Sequence, residues 1–168
     1  MIFTAHANGW ADVGDARFRC ALGVGGLAVA GEKREGDGAS PMGAWPLRRV
    51  LFRSDRRPRP ATVLPASAIR KDDGWCDAPG DRNYNRAVSL PYPASAEALW
   101  REDAIYDLMV ILGYNDDPVV DGAGSAIFLH LAREDFAPTK GCVAMPRAAL
   151  ETLLTLAVPG DRLVIGAP

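Results

Sequence analysis

Glycine and proline interrupt this chain along its whole length: 17 Gly and 13 Pro stand among 168 residues. Proline fixes φ and removes a backbone donor, while glycine lets the chain turn at positive φ. Such punctuation excludes a long helical bundle and favours many short elements joined by turns. The length suits one domain with a proper core, taken here as residues 1–168.

Between the breaks the apolar segments read mostly as strands. Residues 16–24 and 27–30 flank Gly25-Gly26 and predict a β-hairpin. Residues 31–43, GEKREGDGASPMG, predict a loop. Strand character resumes over 44–53, with Pro46 restricting it to an edge or a strand start. Short strands are predicted near 62–64 and 87–90, with an ordered loop over 72–80. Residues 94–102, ASAEALWRE, predict a short helix capped by Ser95. Residues 105–114 and 126–132 are continuous apolar runs and predict two buried strands, followed by a short one over 142–145. Residues 146–157 predict an amphipathic helix with Pro in its first turn and Leu150, Leu153, Leu154 and Leu156 toward the core. A last strand is predicted over 162–165. The fold class is mainly β with one or two short helices.

Composition excludes several functions. A formal charge of −2 and a pI near 5.7 argue against a nucleic-acid surface or a polybasic membrane surface. Cys20, Cys76 and Cys142 have neither disulfide-framework nor C-x-x-C spacing. Few Cys and His leave too few ligands for a closed zinc site, so no metal is expected. Residues 36–43 lack the Gly-Lys-Ser/Thr of a phosphate loop, and no cofactor is expected. The central apolar run, 108–112, is far too short for a membrane span. No secretory signal is visible at the N-terminus, which on its own allows a cytoplasmic location. The expected oligomeric state is a monomer.

Two residues carry the chemistry. His130 interrupts the apolar run Ile127-Phe-Leu-His-Leu131 and shares a strand face with Phe128, opposite Leu129 and Leu131. Taken alone it reads as a hydrogen-bonded core histidine, and Cys142 alone reads as a small buried residue. Together they read differently. A strand carrying His130, a loop, and a Gly141-Cys142 turn bring an imidazole beside a thiol. The imidazole can take the thiol proton or hold the thiolate as an ion pair. Gly141 permits close backbone approach, so nearby amides can receive an oxyanion. His6 lacks such a context, and Cys20 and Cys76 read as structural residues in a strand and a Trp-containing loop.

These residues carry a resemblance. His130, then Thr139-Lys140-Gly141-Cys142, and the earlier GDGASPMGAW at 36–45 resemble the L,D-transpeptidase catalytic domain (YkuD-like) family over roughly residues 27–165. That family has an upstream His, a Ser/Thr-His-Gly-Cys motif and a Gly-Asp-Gly-x-Thr-Pro-x-Gly-x-Phe stretch. The resemblance implies a curved β-sandwich or barrel with a small helical element. It implies a bacterial cysteine acyltransferase, acting on peptidoglycan stem peptides in the periplasm or cell envelope, with a part in cell-wall biogenesis and cell shape. Cys142 would be the nucleophile and His130 the base, with the carbonyl of Leu131 orienting the imidazole. The amides of Gly141 and Cys142 would form part of the oxyanion hole. An amine from another stem, a free D-amino acid or water would resolve the acyl-enzyme.

Departures from the motif are specific. Lys140 replaces the His before Gly-Cys, Ala144 stands where an Arg or Asn is usual, and the His-to-Cys loop is shorter. Divergent members can join stem positions one and three, and this shortened site is a candidate for that linkage. Hydrolysis as an L,D-carboxypeptidase or endopeptidase is the alternative within the class. A catalytically inactive wall-peptide binding module is the alternative outside it. Further candidates for substrate binding are Lys140, Thr139, Arg133, Tyr114 and Asn115, each with a structural reading beside it: solvated side chain or turn signal. Trp75 and Tyr84 are expected as a lid. Activity is expected to fall in acid, and a rate flat from pH 5 to 8 would count against His130 as the base.

Overall fold

The computed structural model describes residues 1–167. Its strands are β1 (Ile2–His6), β2 (Trp10–Val13), β3 (Ala16–Arg19), β4 (Leu27–Val29), β5 (Ser40–Phe52), β6 (Ala66–Ala68) and β7 (Asp73–Cys76). They continue as β8 (Ala87–Ser89), β9 (Ala96–Ala98), β10 (Leu108–Leu112), β11 (Phe128–Leu131), β12 (Val143–Met145) and β13 (Arg162–Ala167). The helix α1 (Arg147–Leu156) lies between β12 and β13.

One large sheet runs β12-β11-β10-β5-β13-β1-β2-β3, with β4 and β6 also paired to β5. Its two ends meet. Past β3, Ala21 exchanges both backbone bonds with Ala144 of β12, at 2.8 and 2.9 Å. The result is a mainly β, nearly closed, barrel-like sheet with one short helix. A second sheet, β8-β7-β9, is small.

Strand alternation separates two cores. Leu108, Val110 and Leu112 of β10, Leu129 and Leu131 of β11, and Val143 and Met145 of β12 point into the main core. Ala149, Leu150, Leu153 and Leu154 of α1 join it. The opposite face presents Met109, Ile111, Phe128 and Cys142, which Trp75 and Leu99 from the small sheet cover. Every residue of β10 is therefore buried, as its unbroken apolar run predicts.

Several predicted elements change. Residues 16–30 do not form the hairpin: β3 pairs with β2 through a turn at Gly14, and β4 runs parallel to β5. Gly23 and Gly25 serve close packing instead. A Cβ on them would lie 2.2 Å from the Gly38 carbonyl oxygen and 2.3 Å from that of Asp37. Strand β5 begins at Ser40, inside the predicted loop, and is central rather than an edge. Pro46 is tolerated because it ends the pairing with β13, after which Leu47–Phe52 pair with β10. The 62–64 strand lies instead at Ala66–Ala68, and 73–76 is a strand rather than a loop.

The predicted helix over 94–102 contains β9, because Ala96–Ala98 fill the free edge of β7 and Leu99 is buried beneath it. Tertiary pairing overrides a helix-favouring composition there. Cys20 lies just past β3, and Leu156 faces solvent, 38% exposed. Removing Leu153 in a Leu153→Ala variant should cost about 2–5 kcal/mol, while Leu156→Ala should stay within about 0.5 kcal/mol. Urea unfolding of the two variants measures the contrast.

Candidate active site

The turn before β12 is built to hold Cys142. Gly141 has φ +128°, and a Cβ there would approach the Ala39 carbonyl oxygen to 2.9 Å. The Thr139 hydroxyl donates to the Cys142 carbonyl at 2.7 Å and accepts from the Gly141 amide at 3.1 Å. Ser40, fully buried in the GDGASPMGAW stretch, donates to the same Cys142 carbonyl at 3.2 Å. Two hydroxyls thus grip the carbonyl of Cys142, one from each sequence motif. The Thr139 hydroxyl, expected to bind substrate, is engaged twice within this turn. The Gly141 amide expected in an oxyanion hole is likewise already bonded.

Parallel pairing of β11 with β12 puts the thiol and the imidazole on one sheet face. Leu129 is opposite Val143 and His130 opposite Ala144. Phe128 and His130 therefore share a face with Cys142, and His130 lies one alternate position along. The Cys142 thiol donates to the Ala126 carbonyl at 3.2 Å and accepts from the Phe128 amide at 3.4 Å. Burial, and then the charge of Glu97, push its pKa up to about 12. Cys142 rests as a protonated thiol. His130 is 5% exposed, and burial lowers its pKa to about 4. Its Nδ1 lies 2.9 Å from the Leu131 carbonyl, which can only accept. Nδ1 therefore carries the proton, and the unprotonated lone pair is on Nε2.

Groups missed by the sequence reading surround this pair. Tyr106 packs edge-on against His130, 5.3 Å between ring centroids, and against Phe128 at 5.9 Å. Its hydroxyl donates to Glu97 at 2.5 Å. Burial raises the Glu97 pKa, while the Tyr106 bond, Arg101 and Lys140 oppose that rise. Asn85 is a buried hub, accepting from Trp75 Nε1 and the Ala126 amide and donating to the carbonyls of Tyr114 and Asn115. Lys33, 3% exposed, pairs with Asp37 of the GDGASPMGAW stretch at 2.6 Å, and its charge acts on Cys142. The apolar positions of 94–102 hid Glu97 inside a predicted helix, and Tyr106 sat at the start of a predicted strand with no signal of its own.

The other predicted site residues are dispersed. Lys140 is exposed. Arg133 donates to Asp103 at 3.0 Å, which Arg101 also holds in a fork. Tyr114 turns into the main core, edge-on to Trp45, with its hydroxyl on the Ala123 carbonyl. Asn115, at φ +49°, spends its amide on Val120 and Gly124 and organises a turn. Trp75 and Tyr84 are both buried: Trp75 packs over Phe128 on the face that carries Cys142, while the Tyr84 hydroxyl is held by Glu35.

A cavity of about 580 Å³ near Asp81 and Asp117, and one of about 390 Å³ near Cys20 and Phe136, exclude both Cys142 and His130. Cys142 and His130 are 8% and 5% exposed, so the face they share is largely covered. No group of three or more His, Cys, Asp or Glu among the described residues is placed to hold a metal ion. Likewise, no described helix is long and apolar enough to cross a membrane.

A thiol and a neutral imidazole on one face of paired strands are the parts that cysteine acyl transfer needs. The family model of the L,D-transpeptidase catalytic domain matches residues 7–165, nearly the whole chain, and the chain belongs to that family. Membership implies a peptidoglycan substrate. No curated protein and no solved structure matches the chain.

The buried imidazole makes stability depend on pH. Its folded pKa, about 4, lies below the ordinary 6.5. As pH falls from 6.5 toward 4, the unfolded chain takes up a proton that the folded one refuses, so stability falls. The full loss is roughly 3 kcal/mol, reached below the folded pKa. Urea unfolding across that range should show the loss as a difference between the protein and His130→Gln, in which this component of the slope is absent.

Proposed function

We propose that the protein is a cysteine-dependent L,D-transpeptidase acting on peptidoglycan stem peptides in the cell envelope. Cys142 is the nucleophile and His130 the general base. The observation that carries this reading is the tautomer of His130: Nδ1–H is held by Leu131, so Nε2 is the basic nitrogen on the face shared with Cys142.

The acylation step follows from the resting charges. Cys142 Sγ attacks the carbonyl carbon of an L-configured stem residue while Nε2 of His130 takes the thiol proton. The amide of Cys142 serves the oxyanion, since that of Gly141 is held by Thr139. The tetrahedral adduct collapses, the C–N bond breaks, and His130 returns the proton to the leaving amine of the D-residue. An acceptor amine then attacks the thioester and gives its proton to His130, and the sulfur leaves and is reprotonated. The products are crosslinks, including a one-to-three linkage, or stems with an exchanged D-amino acid. Two neutral partners support general-base attack rather than a standing ion pair.

Intact-mass spectrometry with a stem peptide or a carbapenem should show one acyl adduct, lost in Cys142→Ala. An adduct of undiminished amount in that variant would overturn the nucleophile. The acid limb of the rate belongs near pH 4, because His130 stays unprotonated above it. A rate flat from pH 5 to 8 is therefore the expected profile, which reverses the inference drawn from the unperturbed imidazole. A limb near 6.5 would reject it. Muropeptide analysis of cells expressing the protein reads the linkage and separates transfer from hydrolysis.

A further inference from the structure

The dipeptide Tyr84-Asn85, between β7 and β8, holds the turn that leads into β11. The Tyr84 hydroxyl accepts from the Gly124 amide at 2.9 Å, and Asn85 Oδ1 accepts from the Ala126 amide at 3.0 Å. Between them the Ser125 hydroxyl donates to Glu35 at 2.7 Å. Ala126 is kept at φ +54°, in the left-handed region that an alanine rarely adopts. Such a conformation persists only where its surroundings over-determine it, and such positions cluster at active sites.

The orientation of Asn85 is forced by its partners. Trp75 Nε1 and the Ala126 amide can only donate, so Oδ1 faces them, at 2.9 and 3.0 Å. The carbonyls of Tyr114 and Asn115 can only accept, so Nδ2 faces them, at 3.1 and 2.7 Å. A primary amide supplies two acceptor and two donor positions on one short side chain. Asn85 is 5% exposed and itself stands at φ +54°, which asparagine tolerates. Both ends of its amide are pinned, and losing either would leave a buried polar group unpaired.

This grip fixes the Ala126 carbonyl, which accepts the Cys142 thiol proton at 3.2 Å. Two residues on, the Phe128 amide donates to the same sulfur at 3.4 Å. The sulfur sits between a carbonyl that suits the thiol and an N–H that suits the thiolate. We propose that Asn85 is a positioning residue for Cys142: by fixing Ala126 it fixes the thiol, whose proton stays on the Ala126 carbonyl until His130 takes it. For its meaning this rests on the reading of Cys142 as nucleophile and His130 as base; its spectroscopic test does not. When the S–H turns from that carbonyl toward Nε2, the Phe128 amide is already in place for the thiolate.

The infrared S–H stretch tests this without turnover, because a difference spectrum between the protein and Cys142→Ala isolates the Cys142 band. A hydrogen bond to a carbonyl lowers that frequency, so the band should lie below the position of a free thiol. Asn85→Gly keeps positive φ accessible at position 85 and removes only the side chain. The band should then rise toward the free-thiol position. Acylation by a saturating carbapenem should slow about tenfold in the same variant, with the half-saturating concentration unchanged. Adding Ala126→Gly should recover part of both effects, because glycine holds positive φ unaided. Ala126→Val resists that φ while leaving Asn85 whole; it should also raise the band, and it replaces Asn85→Gly if that variant does not fold. A parent band at the free-thiol position, a band that neither variant moves, or a double variant no better than Asn85→Gly overturns the proposal. If the band behaves as expected and the parent protein forms no acyl adduct, the nucleophile is rejected and the positioning by Asn85 stands.

Discussion

The backbone exchange between Ala21 and Ala144 holds the two ends of the main sheet together, and the site depends on it. Strand β12 is short and would otherwise be a free edge with Cys142 at its frayed start. Pairing on both sides, with β11 and with the segment after β3, fixes the direction of the Cys142 side chain. A second bridge, Gly23 with Thr139, fastens the turn itself. The glycines at 23 and 25 make this possible, because the 37–40 backbone passes where their side chains would be. The long range of these contacts means that the thiol is placed only when both ends of the chain have folded.

Burial then decides the charge state. A thiol beside an imidazole in water-exposed surroundings often settles as thiolate and imidazolium. Here both groups are buried, and an ion pair would have to repay two desolvation costs in a site that also contains a carboxylate. The neutral pair wins. Lys33 favours the thiolate, but its own pairing with Asp37 blunts that pull. On the proposed reading, the developing oxyanion of a bound substrate supplies the counter-charge that the resting pair lacks.

What the sequence made legible follows from which contacts are local. The fully buried β10 announced itself by an unbroken apolar run, and α1 by its apolar spacing. His130 was readable because a lone imidazole in such a run is conspicuous, and Cys142 because Gly141 precedes it. The strands at β7 and β9 were not readable: their pairing joins segments separated by a proline-rich stretch, and alanine and glutamate at 96–98 favour a helix by themselves. Asn85 and Tyr106 were invisible for the same reason, since their value lies wholly in partners distant in sequence. Tyr114 and Asn115 were singled out for standing at the end of β10, yet one fills the core and the other shapes a turn.

The departures at Lys140 and Ala144 bear differently on the site once the turn is understood. Position 140 points to solvent, so exchanging an imidazole for an ammonium there leaves the grip on Cys142 untouched: that grip comes from Thr139, Ser40 and the backbone. Position 144 contributes through its amide and carbonyl to sheet closure, a role any residue with a small side chain performs. The architecture that holds the thiol is therefore intact where the motif is most altered. What the two changes alter is side-chain chemistry: position 144 carries no polar group, and position 140 carries an exposed ammonium. The frame around Cys142 is thus preserved while its surroundings change, and the aromatic rings of Trp75, Tyr106 and Phe128 remain packed on the same side of the sheet.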